Sequence, residues 1–332
     1  LRGARRGSID FALRFGYNVK NHAEILGNPT KAGARMEAKK AGKNSLGILC
    51  CVLGATTWGV SGACSEAFFK NYPVDCSWVA AVRMLTAGIV LTAYALLRRK
   101  LDLAAILKDK KSCLQILAFS LFGLTCCQYA YLSAIQWTNS GTATVLQNLS
   151  IVLISVYICI STRTLPQKKT VFCILLALVG VWLIATGGSF RGMKVTPKGL
   201  FWGLASGVSV ACYSLLAGRP VAKWGSIPVT GLGMLLGGCL LFVCMRAWRI
   251  PAGLDLRGWA LLGVIILLGT IAAFTLFMKG ISLVGPVKAS LLSCLEPLTA
   301  TTLSAFWLGS VFTWTDLLGF ACVLATVLLS AL

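Results

Sequence analysis

Residues 121–155 read LFGLTCCQYAYLSAIQWTNSGTATVLQNLSIVLIS, and residues 267–301 read LLGTIAAFTLFMKGISLVGPVKASLLSCLEPLTAT. Aligned without gaps at an offset of 146, they share Leu121/Leu267, Gly123/Gly269, Ile135/Ile281, Ala143/Ala289, Leu146/Leu292 and Leu149/Leu295. Six identities are few for two apolar stretches. The weight lies in register, because the same offset brings the turns and the flanking apolar segments into correspondence. Each run is of a length that crosses a hydrocarbon core of about 30 Å at 1.5 Å per helical residue.

Outward from this pair, ten apolar segments lie near 45–68, 76–97, 113–133, 139–161, 170–188, 199–217, 227–245, 258–278, 286–308 and 314–332. They divide into two sets of five, which predicts repeats over 45–188 and 189–332. Five is odd, so a second copy enters the membrane upside down relative to the first. The expected fold is an all-α polytopic membrane protein, ten transmembrane helices arranged as two inverted five-helix repeats. Many secondary transporters build two interchangeable gates around a midplane site in this way.

Composition supports that class. The chain is 57% hydrophobic and 12% charged, with a mean hydropathy of +0.80, whereas soluble domains carry about 25% charged residues. The net charge of +21 does not indicate nucleic acid, because Lys and Arg cluster in short segments between apolar runs. With a cytoplasmic N-terminus, 23 of them fall inside and 7 outside, with Arg83 inside a helix. That bias predicts a multi-pass cell-membrane protein with both termini cytoplasmic. Residues 1–44 form a basic tail without clear periodicity, expected to be disordered, with Met36 the more natural start.

Most of the fourteen cysteines lie inside apolar runs, no Cys-x-x-Cys occurs, and His22 is the single histidine. Spacing therefore argues against zinc or a disulfide framework, and no cofactor is expected. The phosphate-binding loop Gly-x-x-x-x-Gly-Lys-Ser/Thr is absent from the sequence, which argues against ATP-driven pumping by this chain alone.

Few residues inside the segments carry chemistry. Glu296 lies about halfway along the ninth segment, where an unpaired carboxylate costs about 2.5–3.5 kcal/mol on insertion scales. Pro297 lacks an amide hydrogen and clashes with the carbonyl of Ser293, so a helix kink there frees an acceptor beside the acid. Glu296 then binds substrate, cation or proton, or else ties a kinked helix to a neighbour. Arg83, five residues in from Trp78, either clamps a substrate anion, snorkels, or pairs with Glu66. Gln147 and Asn148 match Ser293 and Cys294 across the repeat and either line a cavity or bond between helices. Trp58, Tyr129, Tyr131 and Tyr213 either stack a planar substrate or pack. The glycine rows Gly199/Gly203/Gly207 and Gly233/Gly237 read as close helix packing.

Several short stretches, in order and spacing, resemble the drug/metabolite transporter superfamily, specifically its EamA type. They are Trp58-Gly59, Ala80-Ala-Val-Arg83-Met, Ala134-Ile-Gln-Trp-Thr-Asn-Ser-Gly-Thr-Ala143, Ala211-Cys-Tyr213 and Gly285-Pro-Val-Lys-Ala-Ser-Leu-Leu-Ser-Cys-Leu-Glu-Pro297. The likeness covers 45–332 as two EamA-like repeats. Departures are Thr162-Arg-Thr164 and Leu308-Gly-Ser310 where the family carries Leu-Gly-Glu, Ile151 for a proline, and Val210 for a tryptophan. The resemblance implies a secondary transporter, commonly an exporter, of a small metabolite such as an amino acid or drug-like compound, without ATP. Alternating access around a midplane cavity near Glu296 is the expected mechanism. The partners are a small-molecule substrate and the lipid bilayer; a monomer suffices, with a homodimer left open. A channel, a non-transporting scaffold or, with no histidine in any span, an intramembrane enzyme are the competing classes.

Overall fold

The computed structural model describes residues 31–163, 165, 168–189 and 192–331. The expected disorder of the tail falls, for residues 1–30, outside the described residues. Among the described residues every regular element is helical. Helix α1 runs Lys31–Asn71 and α2 Cys76–Leu97. After the short α3 (Leu103–Lys108), α4 spans Lys110–Trp137 and contains a π-helical turn at Phe119–Thr125. The next span is divided into α5 (Ser140–Gln147) and α6 (Ser150–Thr162), followed by α7 (Lys168–Thr186). In the second half, α8 covers Pro197–Trp224, α9 Ser226–Cys244, and α10 Leu256–Val284 with a π-helical turn at Leu267–Ala272. Then come α11 (Pro286–Ser293), α12 (Leu295–Phe306) and α13 (Trp314–Ala331).

Among the described residues eight helices are long and apolar enough to cross a membrane, and the chain is a polytopic all-α protein. The expected count of ten is not reached as ten unbroken spans. The ninth segment is divided at Cys294 into α11 and α12, and the apolar run of the tenth is the shorter Trp314–Leu329. Helices α1, α4, α8 and α10 outrun the predicted apolar segments, because Asp109, Thr196 and Asp255 cap α4, α8 and α10 beyond them. A 28-residue helix is about 42 Å long, more than the hydrocarbon thickness.

The repeat is visible in the backbone. Adding 146 to the bounds of α5 gives those of α11, so both spans break at the same register. The same offset carries Asp109, which caps α4, onto Asp255, which caps α10. Between the halves, α2 and α9 cross closely through paired glycines. A Cβ on Gly88 would lie 2.4 Å from the Leu235 nitrogen, and one on Gly238 2.5 Å from the Leu85 nitrogen. At an offset of 150, Gly88 maps onto Gly238 and Leu85 onto Leu235, so each contact is the mate of the other, as in an isologous interface. Position 85 faces 238 while 88 faces 235, so α2 and α9 run antiparallel. Two halves whose corresponding helices oppose one another are inverted copies about an approximate two-fold axis between α2 and α9. Glycine permits these crossings because no side chain separates the backbones.

This symmetry defines two sides. The far side holds the end of α1, the start of α2, the end of α9 and the start of α10. The near side holds the end of α2, the start of α4, the end of α8 and the start of α9. The main apolar core lies between them and includes Phe68, Met84, Leu132, Met234 and Ile265.

Candidate functional site

Arg83, on α2, is buried with 4% of its surface accessible. Its Nε donates to Thr270 Oγ1 (2.6 Å) and its Nη2 to the Gly269 carbonyl (3.2 Å), both in the π-helical turn of α10. A π turn displaces one backbone carbonyl from the regular ladder, and such turns recur at functional sites. Here the displaced geometry supplies an acceptor for a guanidinium. Gly269 also lets α1 approach, since a Cβ there would lie 1.9 Å from Ser61 Oγ. Arg83 neither snorkels nor meets Glu66, which corrects the pairing that the sequence left open. Its Nη1 is buried with no hydrogen-bond partner.

Glu296 lies in the first turn of α12, two residues past the break at Cys294. It is half-buried, and its backbone packs on the same stretch of α1 that meets Gly269 at Ser61 and the Tyr131 hydroxyl at Gly62. Among the described residues no group donates to its carboxylate, and the three ion pairs lie elsewhere. Helix α1 reaches this point through Gly59, where a Cβ would fall 2.6 Å from the Glu296 carbonyl oxygen. The span breaks at Cys294, where the kink at Pro297 is expected. The mate span breaks at Asn148–Leu149, with Ile151 in place of the proline, so a break at this register does not require a proline.

The other candidates divide. Tyr131 lies in the constellation, its hydroxyl 2.9 Å from Thr144 Oγ1; because Thr144 donates to the Ser140 carbonyl, Tyr131 is the donor. Gln147 is nearby, its Nε2 3.6 Å from Cys127 Sγ. Tyr213 packs on Gly123 in the first π turn and edges Phe119. Asn148 turns back to its own helix, donating to the Thr144 carbonyl (2.8 Å). Ser293 closes α11 ahead of the break. Trp58 packs on Phe274 and Phe277, and Tyr129 edges Trp202, so both sit in aromatic clusters. Thr270, Cys127 and Gly59 were not singled out as site residues. Thr270 is a hydroxyl in an otherwise apolar run, and Gly59 follows Trp58; each left a trace in the sequence.

A second polar cluster seals the far side. Glu66, 2% exposed, accepts from the Ser140 N–H and hydroxyl (both 2.8 Å) and from the hydroxyls of Ser304 and Ser310 (both 2.7 Å). Lys70 pairs with it at 2.9 Å and also donates to the Leu308 carbonyl. One carboxylate thereby ties α1 to α5, α12 and the α12–α13 connection. Nearby, the Tyr72 hydroxyl donates to Asp255, which also accepts from the Gly258 N–H (2.8 Å), and Trp78 donates to the Ala247 carbonyl (2.9 Å).

The near side carries the counterpart. Lys223, at the end of α8, pairs with Asp109 at 2.6 Å, and Trp224 donates to Ser112 (2.9 Å). Asp109 and Ser112 are the repeat mates of Asp255 and Gly258. In each case the end of a half's first helix fastens to the start of the other half's third long helix. The Lys223 ammonium and the Ser112 hydroxyl hold the Asp109 carboxyl well below the usual range. The Tyr72 hydroxyl does the same for Asp255, and that bond pushes the Tyr72 phenol up. Among the described residues no cluster of His, Cys, Asp and Glu converges as metal ligands.

The chain can now be placed among known proteins. The model of the EamA-like transporter family matches it twice, at residues 45–186 and 197–332. It is 33% identical over 295 residues to the uncharacterized inner membrane transporter YicL of Salmonella typhimurium, covering 88% of this chain and 97% of that one. It is 24% identical over 289 residues to the uncharacterized transporter YwfM of Bacillus subtilis, covering 86% and 94%. One solved crystal structure superimposes over 87% of this chain and 97% of the other, with a TM-score of 0.56 at 16% identity, a likeness of fold alone. The chain belongs to the EamA-like transporter family, as a multi-pass membrane transporter containing two of its repeats.

Proposed function

We infer that this chain is a secondary transporter of a small metabolite, working by alternating access around the Arg83–Glu296 region and moving its substrate outward across the cell membrane. The near side is then cytoplasmic, together with both termini. The observation that carries this reading is the unequal environment of two matching helices. In α5 every residue from Ser140 to Leu146 is buried. In its mate α11, among residues whose surroundings are described, Lys288 is exposed, Leu291, Leu292 and Ser293 are half-buried, and Ala289 alone is buried. Two copies of one element, one packed shut and the other loosened, are what a carrier needs if its halves exchange conformations.

The fastening of the two sides supports the same reading. The far side is held by the buried Glu66 cluster and the Tyr72–Asp255 bond. Among the described residues the near side is held by one ion pair between side chains 55% and 30% exposed, plus one indole bond. Surface pairs contribute about 0–1 kcal/mol, whereas hydrogen bonds to a buried charge contribute about 1.5–3 kcal/mol each. The conformation described here is thus one closed at the far side and readier to open at the near side. A permanently open channel is disfavoured by the far-side seal.

Counterflow in proteoliposomes tests the proposal. Internal unlabelled substrate should accelerate uptake of the labelled form, and Glu296→Gln should abolish or uncouple that exchange. Uptake without trans-stimulation, or full exchange by Glu296→Gln, contradicts it.

A further inference from the structure

The two halves match helix for helix, yet one seam differs between them. On the far side α2 lies along residues 126–137 of α4, and a 3.2 Å contact between Cys76 Sγ and Ser133 Oγ closes the joint. Their mates, at the offsets of 150 and 146, are Ser226 and Lys279. On the near side α9 stands off residues 273–284 of α10, and an open cleft lies there between α2, α9 and α10. Leu91, Ile227, Phe274 and Met278 line it together with Ser226 and Thr275, and the surface it presents is apolar. Thr275 turns its hydroxyl back to the Ile271 carbonyl of its own helix (2.8 Å). The far-side counterpart is packed shut. Cys76, Leu132 and Leu241, the mates of Ser226, Met278 and Leu91, are all buried, whereas Ser226 and Met278 are half-buried.

Depth and charge say what fills this cleft. Ser226 starts α9, and Phe274 stands ten residues from the near-side end of α10 at Val284. The cleft therefore runs from the membrane surface to a depth of about 15 Å, the hydrocarbon thickness of one leaflet. Lys279 is exposed, and it lies four residues beyond Thr275, on the same face of α10 and one turn closer to the near surface. Among the described residues Lys279 enters no ion pair. An apolar slot with a free cation at its surface end matches a lipid: a chain below and a phosphate above. A zwitterionic headgroup brings its own cation to Lys279, so an anionic one is favoured, as for basic residues at the surface of an anionic leaflet. We propose that the cleft holds one acyl chain of an anionic phospholipid of the near leaflet, its phosphate on Lys279, and that this lipid wedges the near side open. The site stands apart from the transport reading above. The wedge rests on that reading, because closing the near side as the far side is closed brings Ser226 onto Lys279 and leaves the chain no room.

The test reconstitutes the full chain with phosphatidylglycerol or phosphatidylcholine carrying a diazirine in one acyl chain, and maps the adducts after irradiation. Labelling at Ile227 or at 274–278 should favour phosphatidylglycerol about fivefold, the effect of one lysine near a membrane surface. Leu236, exposed on α9 outside the cleft, reports bulk lipid and should show no such preference. Lys279→Gln should make the two lipids equal in the cleft, and Lys279→Arg, which keeps the charge, should retain the preference. Trapping the lipid should lower counterflow in proportion to the fraction labelled. The same preference at Leu236 as in the cleft, or one that survives Lys279→Gln, overturns the site. Labelled protein that exchanges at the full rate overturns the wedge. Cleft labelling in protein that shows no counterflow contradicts the transport reading and leaves the site standing; counterflow without cleft labelling does the reverse.

Discussion

Replacing Gly59 with alanine perturbs the point where α1 rides on the backbone beneath Glu296. The added Cβ would lie 2.6 Å from the Glu296 carbonyl oxygen, 2.6 Å from Thr299 Cβ and 3.0 Å from the Ala300 nitrogen. Carbon contacts settle at about 3.5–4.0 Å, so α1 and α12 must separate by about 1 Å. None of the three atoms is the end of a flexible side chain, so rotation cannot relieve the overlap. Overpacking of this kind costs about 1–3 kcal/mol. If α1 and α12 meet in this way only while the far side is closed, the conformational equilibrium shifts toward far-side opening by about 5- to 150-fold. The assay is double electron–electron resonance between spin labels on the far-side ends of α1 and α12, alongside counterflow. Gly263→Ala is the control, since nothing lies within 4 Å of a Cβ there. A Gly59→Ala protein with the wild-type distance distribution and exchange rate refutes the reasoning, because the contact would then be dispensable.

Glu66→Gln should weaken the far-side seal, since an amide meets donors with one acceptor oxygen in place of two. Each hydrogen bond to the charge contributes about 1.5–3 kcal/mol, so the melting temperature should fall and far-side labels should broaden; an unchanged melt contradicts this. Pro297→Ala should keep the break between α11 and α12, because α5 and α6 break without a proline; label distances across residue 294 would show straightening if that is wrong. The two fastenings should be insensitive to pH in the neutral range. Asp109 and Asp255 have lowered values, so their contribution is present above the ordinary carboxylate pKa of about 4 and is lost as pH falls through the lower folded value. Tyr72 has a raised value, so its contribution is present below about 10 and is lost as pH climbs through the higher one. Any pH dependence of transport between roughly 5 and 9 should therefore persist in Tyr72→Phe and Lys223→Met.

Much of this architecture was legible because membrane helices announce themselves by length and hydropathy. The offset of 146, read from six identities, also aligns the breaks at Gln147 and Ser293. Arg83 and Glu296 stood out because charge is scarce inside spans. Other features left weaker traces. Asp109 and Asp255 obey the same offset, but they precede the stretch in which the identities begin. The π-helical turns, the second of which gives Arg83 its carbonyl partner, pack against α8 and α1 and have no composition of their own. The Glu66 cluster draws donors from positions 140, 304 and 310, which only the folded chain assembles. The pairing of Arg83 with Glu66 was natural in one dimension and fails because Arg83 bonds Thr270 and the Gly269 carbonyl while Glu66 is held by Ser140, Ser304, Ser310 and Lys70. The kink was legible in Pro297, and the same break recurs where isoleucine stands.

Alternation itself is open to direct measurement. Cysteine pairs at positions 72 and 255 on the far side, and at 109 and 223 on the near side, would be introduced where accessible native cysteines have been replaced. If the two inverted halves exchange conformations around Arg83 and Glu296, bridging either pair alone with a bifunctional methanethiosulfonate reagent stops counterflow and reduction restores it. Spin labels at the same positions should show the far side opening only as the near side closes. Exchange that continues with either side cross-linked, or both sides widening together, would contradict the account.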